Sequence, residues 1–302
     1  MNARHWITIA ITLMAAAGCG KGEAAERARE RTLAARQVRL DRALAEPDRL
    51  QPDAPVARWI LPDRLGEISG LTLTEDQRLF AHGDEFGRVY EIDYRRGVIV
   101  KEFSLGPPLV PDDFEAIAVA RDTMFMLTDA GVIYRFTEGE DGAGVEYSTL
   151  DTGLGALCQF EGMAFDSTTN SLVLACKNVE DGGANDHMRA YRWPLDRDSS
   201  TVDTPPQEIR VPLAAIVGSL GWPKIEPSDI TVNPHNGNYR IIASGQQAIF
   251  EITPGGEVVF SRTLPSGHAQ PEGLAMTRDN LVLITDEATT GPAVLTVYRR
   301  QQ

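Results

Sequence analysis

The sequence predicts an all-β chain folded as a five-bladed β-propeller closed by an N-terminal strand. The first observation is a five-fold repeat of one strand pattern, and the second is its near-constant spacing. The third is a stretch of short strands joined by turn residues, with no helical pattern between them. The repeat begins with Ser or Glu, then a small residue or Asp, then alternating apolar and Ala/Thr positions. Its copies are Ser69-Gly70-Leu71-Thr72-Leu73, Glu115-Ala116-Ile117-Ala118-Val119, Glu161-Gly162-Met163-Ala164-Phe165, Ser228-Asp229-Ile230-Thr231-Val232 and Glu272-Gly273-Leu274-Ala275-Met276. The intervals between copies are 46, 46, 67 and 44 residues, so one unit carries an insertion and the others match a four-stranded blade.

Each copy is followed by a turn cluster, and then by a second strand that ends in a polar step. These steps are Asp84-Glu85, Asp129, Lys177-Asn178, Ser244-Gly245 and Asp286-Glu287. Third strands follow at 88–93, 132–136, 188–193, 248–252 and 293–299, and fourth strands at 98–105 and 258–264. The last unit ends at Arg299 without a fourth strand, and 56–61 precedes the first unit without a partner. The simplest closure pairs the two, which removes exposed sheet edges. Six blades is the alternative if the 180–223 insertion forms strands of its own, but Gly182-Gly183, Pro205-Pro206 and Pro212 favour a long loop there.

Ahead of the propeller (54–302), residues 1–18 read as an export signal: Arg4 gives the positive start, 6–17 is mostly apolar, and Ala16-Ala17-Gly18 is a small-residue cleavage site. Cys19 follows directly, so the segment resembles a bacterial lipoprotein signal in which that cysteine is acylated. The resemblance implies anchoring to the membrane through Cys19. With Gly20 next to it, it also implies sorting to the outer membrane of a Gram-negative envelope. Residues 19–53, rich in Ala, Arg and Glu with Leu33, Leu40 and Leu44 recurring at helical-turn spacing, read as a partly helical tether. Lys+Arg number 29 against 43 Asp+Glu, a net charge of −14. The signal and tether are slightly positive, so the negative charge belongs to the propeller. Such a field argues against nucleic acid as a partner and suits a cation or a neutral ligand.

The first strand of each blade lines the central channel, so equivalent repeat positions fall on one ring. Glu115, Glu161 and Glu272 share it, and where Ser69 and Ser228 stand instead, an acid lies two residues upstream at Glu67 and Glu226. With a side-chain period of two, those acids point to the same face, displaced by about 7 Å. The antiparallel second strands return to the same mouth and add Asp84, Glu85, Asp129, Asp286 and Glu287. So many carboxylates repel one another and must take up protons or a cation. Ca2+, a hard ion that accepts six to eight oxygens with tolerant geometry, is the expected occupant; Mg2+ fits less well, and the His and Cys that zinc or copper need are missing from these motifs. The competing reading has these acids satisfy strand-end donors and salt bridges, with Lys177 an internal counter-charge.

On Glu67-Ile68-Ser69-Gly70-Leu71, Gly83-Asp84-Glu85, Phe160-Glu161-Gly162-Met163-Ala164, Ser228-Asp229-Ile230 and Gln270-Pro271-Glu272-Gly273-Leu274-Ala275, the chain resembles the SdiA-regulated, YjiK-like family of bacterial envelope proteins. The resemblance covers most of 56–299. It implies a five-bladed propeller related to NHL-type repeats, with a calcium ion bound in at least one relative and no established enzymatic activity. The long third-blade insertion and Ser244-Gly245, where an acidic pair is common, depart from it.

Cys158 and Cys176 flank the first hairpin of the third blade at near-mirror positions, placed either for a structural disulfide or as two buried thiols. Ser266-Gly267-His268 has no nucleophile elbow and the histidines are scattered, which disfavours Ser-His-Asp hydrolysis. The 181–186 segment has neither the spacing nor the terminal Glu of an EF-hand loop. Two functions are therefore carried forward. The first is a monomeric, non-enzymatic envelope lipoprotein whose calcium-bearing face binds a protein or small molecule. The second is a calcium-dependent hydrolase of phosphoesters or lactones, with Glu115, Glu161 or Asp84 as base.

Overall fold

The computed structural model describes residues 8–45, 53–179, 186–196, 204–218 and 220–299, with side chains of the first helix from residue 24 onward. The export-signal start at Arg4, the side chain of Cys19, the prolines at 47 and 52 and most of the 181–186 loop lie outside the described residues. The chain divides into two units, Met1–Leu50 and Gln51–Gln302.

In the first unit a single α-helix spans Thr8–Ala45. No helix among the described residues is long and apolar enough to cross a membrane.

The second unit is a five-bladed propeller. Blade 1 holds Ile68–Leu73, Leu79–Gly83, Arg88–Asp93 and Val98–Leu105 in spatial order, with Gly144–Val145 added in parallel at its outer edge. Blade 2 holds Phe114–Ala120, Thr123–Thr128, Val132–Thr137 and Tyr147–Asp151. Blade 3 holds Cys158–Asp166, Ser171–Val179, His187–Pro194 and Gln207–Pro212, and blade 4 holds Asp229–Val232, Tyr239–Ala243, Ala248–Ile252 and Val258–Thr263. Blade 5 holds Pro271–Met276, Leu281–Asp286 and Val294–Arg299, and Ala57–Ile60 supplies its fourth strand.

That closure pairs Ala57 with Val297 and Ile60 with Val294, as the unpartnered strands at the two ends require. Trp59 anchors it: the indole is buried and donates from Nε1 to the carbonyl of Tyr94 in blade 1 at 2.9 Å. Gly97 makes room for that ring, since a Cβ there would lie 2.3 Å from the Trp59 side chain.

The hairpin turns follow from side chains that mimic or cap the backbone. The hydroxyls of Thr74 and Thr277 accept the N–H of Arg78 and Leu281, both at 2.9 Å, in corresponding turns of blades 1 and 5. Asp166 Oδ1 accepts the N–H of Thr168 at 2.8 Å in blade 3. Apolar faces meet between blades: Phe80, Phe103, Phe114 and Phe136 pack blade 1 on blade 2, Phe160 and Tyr191 join the blade 2–blade 3 core, and Phe250, Tyr239 and Ile209 fill the blade 3–blade 4 core.

The 180–223 insertion is neither a structureless loop nor a sixth blade. Gln207–Pro212 pairs with His187–Pro194, Val211 opposite Met188, and becomes the fourth strand of blade 3. A helix, Leu213–Val217, follows it. The prolines at 205, 206 and 212 bound this outermost strand, where a missing N–H costs no ladder bond.

Candidate functional site

A β-bulge aims the ring position. In blade 1, Ile68 pairs with Gly83 and Gly70 with His82, so Ser69 is left over; in blade 2, Phe114 pairs with Thr128 and Ala116 with Leu127, so Glu115 is left over. Blade 5 repeats this at Glu272, and blade 3 breaks register between Phe160 and Met163, around Glu161. A bulge leaves a residue unpaired and re-aims its side chain. It also interrupts period-two alternation, so in blade 1 the acid two residues upstream, Glu67, does not join the glutamates in one ring. The single expected ring resolves into two tiers.

The inner tier is Glu115, Glu161 and Glu272, with Lys177 among them. Lys177 Nζ lies 2.8 Å from Glu161 Oε2. Ser69 Oγ donates to Glu115 Oε2 at 3.3 Å across the blade 1–blade 2 boundary. Burial, then Glu161, pushes the Glu115 carboxyl up to about 8. Burial, then Glu272, pushes Glu161 up to about 8 while Lys177 pulls it back. Burial raises Glu272 to about 7, with Lys177 opposing and Glu287 adding to the rise. Burial works against the Lys177 ammonium, but Glu161, Glu115 and Glu272 outweigh it and hold its pKa above the usual lysine range. The three carboxyls thus titrate as a coupled set near neutral pH, beside an ammonium that stays charged throughout that range.

The outer tier is Glu67, Asp84, Glu85 and Glu287, which share the walls of an open pocket of about 510 Å3 between blades 1 and 5. Asp84, then burial, then Glu85 raise Glu67; burial, then Asp84 and Glu67, raise Glu287. Arg64 and Arg88 also line the pocket, yet their guanidinium groups reach Glu102 at 3.6 and 3.4 Å. Among the described residues no cation stands within ion-pair distance of the four acids.

Asp229 closes the floor. At its repeat position the other blades carry Gly70, Ala116, Gly162 and Gly273, and the small residues let inner strands approach closely. A Cβ on Gly162 would lie 2.9 Å from Asp229 Cα, and one on Gly273 would lie 2.7 Å from Leu71 Cγ. The Asp229 carboxylate is buried in the space so left. It accepts the N–H of Ile230 at 2.8 Å and of Leu274 at 2.6 Å, and the Leu71 N–H reaches it as well. Blades 4, 5 and 1 are tied together through one side chain.

The remaining predicted acids divide. Glu226 stands near the inner tier, where burial works against its charge but Lys224 and Gln246 hold its carboxyl below the usual range; Gln246 donates to it at 3.1 Å. Asp129 faces Asp113, a residue the sequence reading passed over although it holds the same i−2 position as Glu67 and Glu226. Burial, then Asp129 and Asp84, raise Asp113. Asp286 leaves the mouth altogether: its Oδ2 lies 2.8 Å from His268 Nδ1, and His268 Nε2 lies 2.8 Å from Tyr298 Oη. All three are buried, and the grouping contains no serine nucleophile.

Cys158 and Cys176 form a disulfide, with Cα atoms 5.6 Å apart. It links the two strands that carry Glu161 and Lys177.

Against this geometry calcium fits the two tiers differently. Among the described residues no three Asp, Glu, His or Cys side chains converge as a ready cage. An ion entering the inner tier would have to displace Lys177. The outer tier has oxygen donors, an open pocket and, among the described residues, no cation paired to its acids, so a hard ion would be held there by drawing carboxylates together and retaining water.

The fold and the mouth define a five-bladed propeller with a two-tier carboxylate face. No family model matches the sequence, and no curated protein does. Solved structures do match. Glutaminyl cyclase from Myxococcus xanthus aligns at TM-score 0.54 and 15% identity, covering 81% of this chain and 95% of that one. The PQQ-bound aldose sugar dehydrogenase from Streptomyces coelicolor gives 0.48 and 11% over 82% and 99%, and virginiamycin B lyase from Staphylococcus aureus gives 0.41 and 16% over 80% and 73%. At such identities the likeness is one of fold, and one propeller hosts unrelated chemistries.

Proposed function

We propose that the protein is a non-enzymatic binding module of the cell envelope, anchored through an acylated Cys19, whose propeller mouth takes up a divalent cation. Ca2+ is the expected ion, and Glu67, Asp84, Glu85 and Glu287 are the side chains that would hold it. The observation carrying this reading is the contrast in counter-charge: four acids share the walls of one open pocket with no cation paired to them, beside inner glutamates that have Lys177. A bound ion would relieve the repulsion that raises Glu67 and Glu287 and would present a rigid, charged rim to a protein or small-molecule partner. Calorimetric titration of the purified chain with CaCl2 and MgCl2, after EGTA treatment, tests it. A calcium-selective isotherm and a calcium-dependent rise in melting temperature are expected; no heat and no shift from either ion would refute it.

A second reading is a hydrolase, and one feature favours it. Carboxyls raised to about 8, as Glu115 and Glu161 are, suit general acid–base work at neutral pH. Turnover of a phosphoester or lactone panel that Glu161→Gln abolishes would replace the first reading with this one.

A further inference from the structure

Lys177 stands where the repeat places acid. The second strands of blades 1, 2 and 5 return to the mouth with Asp84-Glu85, Asp129 and Asp286-Glu287, and that of blade 4 with the neutral Ser244-Gly245; blade 3 alone returns an ammonium. Its charge is felt by Glu115 of blade 2, Glu161 of blade 3, Glu226 ahead of blade 4 and Glu272 of blade 5, and as a smaller contribution by Asp113 and by Glu287 of the outer tier. A single side chain thus serves acids from four blades, which is the position a metal ion would take in a ring of this kind.

The strand pair that carries it is also fixed covalently. Cys176 precedes Lys177, Cys158 lies three residues before Glu161, and the two cysteines lie on either side of the register break between Gln159 and Phe160 that leaves Lys177 out of the ladder. The ladder resumes beyond the break with Cys158 opposite Val179 and Gln159 opposite Asn178, and the disulfide adds a covalent link across it. Lys177 Nζ is thereby kept on Glu161 at 2.8 Å although its side chain is 36% exposed, an exposure at which an unassisted ion pair contributes little.

We infer that Lys177 is the resident cation of the inner tier, a tethered ammonium that excludes external cations from Glu115, Glu161 and Glu272 and confines metal binding to the outer pocket. The inference extends the cation-site reading by assigning its selectivity between tiers, and it rests on that reading only where the outer pocket is concerned. Occupancy is exclusive: a divalent ion reaches the inner carboxylates only when the ammonium leaves, and the tether makes its local concentration high and constant.

Calcium calorimetry on the full chain compares wild type with Lys177→Met and Lys177→Arg, each checked by melting in EGTA. Lys177→Met is expected to gain one further calcium equivalent, or at least a tenfold tighter isotherm, and to recover with Ca2+ the melting temperature it loses without it. Lys177→Arg keeps the cation and is expected to match wild type. A folded Lys177→Met with unchanged stoichiometry and affinity overturns the inference. Should Lys177→Met fail to fold with or without calcium, the double variant Lys177→Met/Glu161→Gln removes both members of the pair and keeps Glu115 and Glu272. A calcium site gained there upholds the inference, and no gain overturns it. Silence in wild type with binding in Lys177→Met would refute the outer-pocket reading while leaving this inference standing; equal binding in both would do the reverse.

Discussion

The inner and outer tiers of the mouth come from the same repeat and carry the same carboxylate chemistry, yet they are finished in opposite ways. The inner tier is closed: bulges aim Glu115 and Glu272 inward, a register break does the same for Glu161, Lys177 sits against Glu161, a disulfide braces that pair, and Asp229 ties three blades together beneath it. The outer tier is open: Glu67 and Glu85 are exposed, the neighbouring acids raise the proton affinity of Glu67 and Glu287, and the nearby arginines are engaged elsewhere. Acids that are paired internally hold a fold together, whereas acids left in mutual repulsion are held ready for something that arrives from outside.

Breaking the closed tier should cost the most. Asp229→Ala leaves the N–H groups of Ile230 and Leu274 buried without an acceptor, at about 1–3 kcal/mol each, so a loss of about 4 kcal/mol is expected in urea unfolding. Asp229→Asn keeps an acceptor oxygen and should lose less. Next comes the brace. Removing it with Cys158→Ala/Cys176→Ala opens a link of sequence separation 18 and should lower stability by about 3 kcal/mol, read by the same unfolding curves. The outer tier should show the opposite behaviour. Glu67→Gln is expected to weaken calcium binding about tenfold, about 1.4 kcal/mol, while its melting temperature in EGTA stays at the wild-type value.

The inner tier should also show itself in pH. Glu115, Glu161 and Glu272 bind protons more tightly folded than unfolded, with folded values of about 8, 8 and 7 against 4.5. Their stabilisation is complete below about pH 4.5 and is lost as pH rises through 7 to 8, so melting temperature should fall between pH 5 and pH 8. Glu115→Gln and Glu272→Gln should flatten that slope. A slope that survives replacement of all three, Glu115, Glu161 and Glu272, by Gln would place the responsible groups outside the inner tier.

Much of this was legible in the sequence, for identifiable reasons. Strand repeats and ring positions are written in the period itself, and the closing strand follows from a count of strands at the two ends. The tiers were not legible, because a bulge depends on which residue each partner strand omits: nothing in Phe114-Glu115-Ala116 announces that Glu115 drops out of the ladder. Asp229 was visible as the odd residue at a Gly/Ala position, but its role needs the close approach of Gly162 and of Leu71 from other blades. Asp286 read as a mouth acid, since only the folded loop brings His268 to it from 18 residues away. Asp113 could have been found, because it repeats the i−2 acid of Glu67 and Glu226. The fourth strand of blade 3 was hidden by the very prolines that bound it.

The division of labour between tiers is tested most directly by one paired titration: calcium calorimetry of Glu67→Gln against Glu115→Gln in otherwise unaltered chain. An isotherm weakened about tenfold in Glu67→Gln and preserved in Glu115→Gln is the predicted result. The reverse, binding lost with Glu115 and indifferent to Glu67, would contradict it and return the cation to the inner ring.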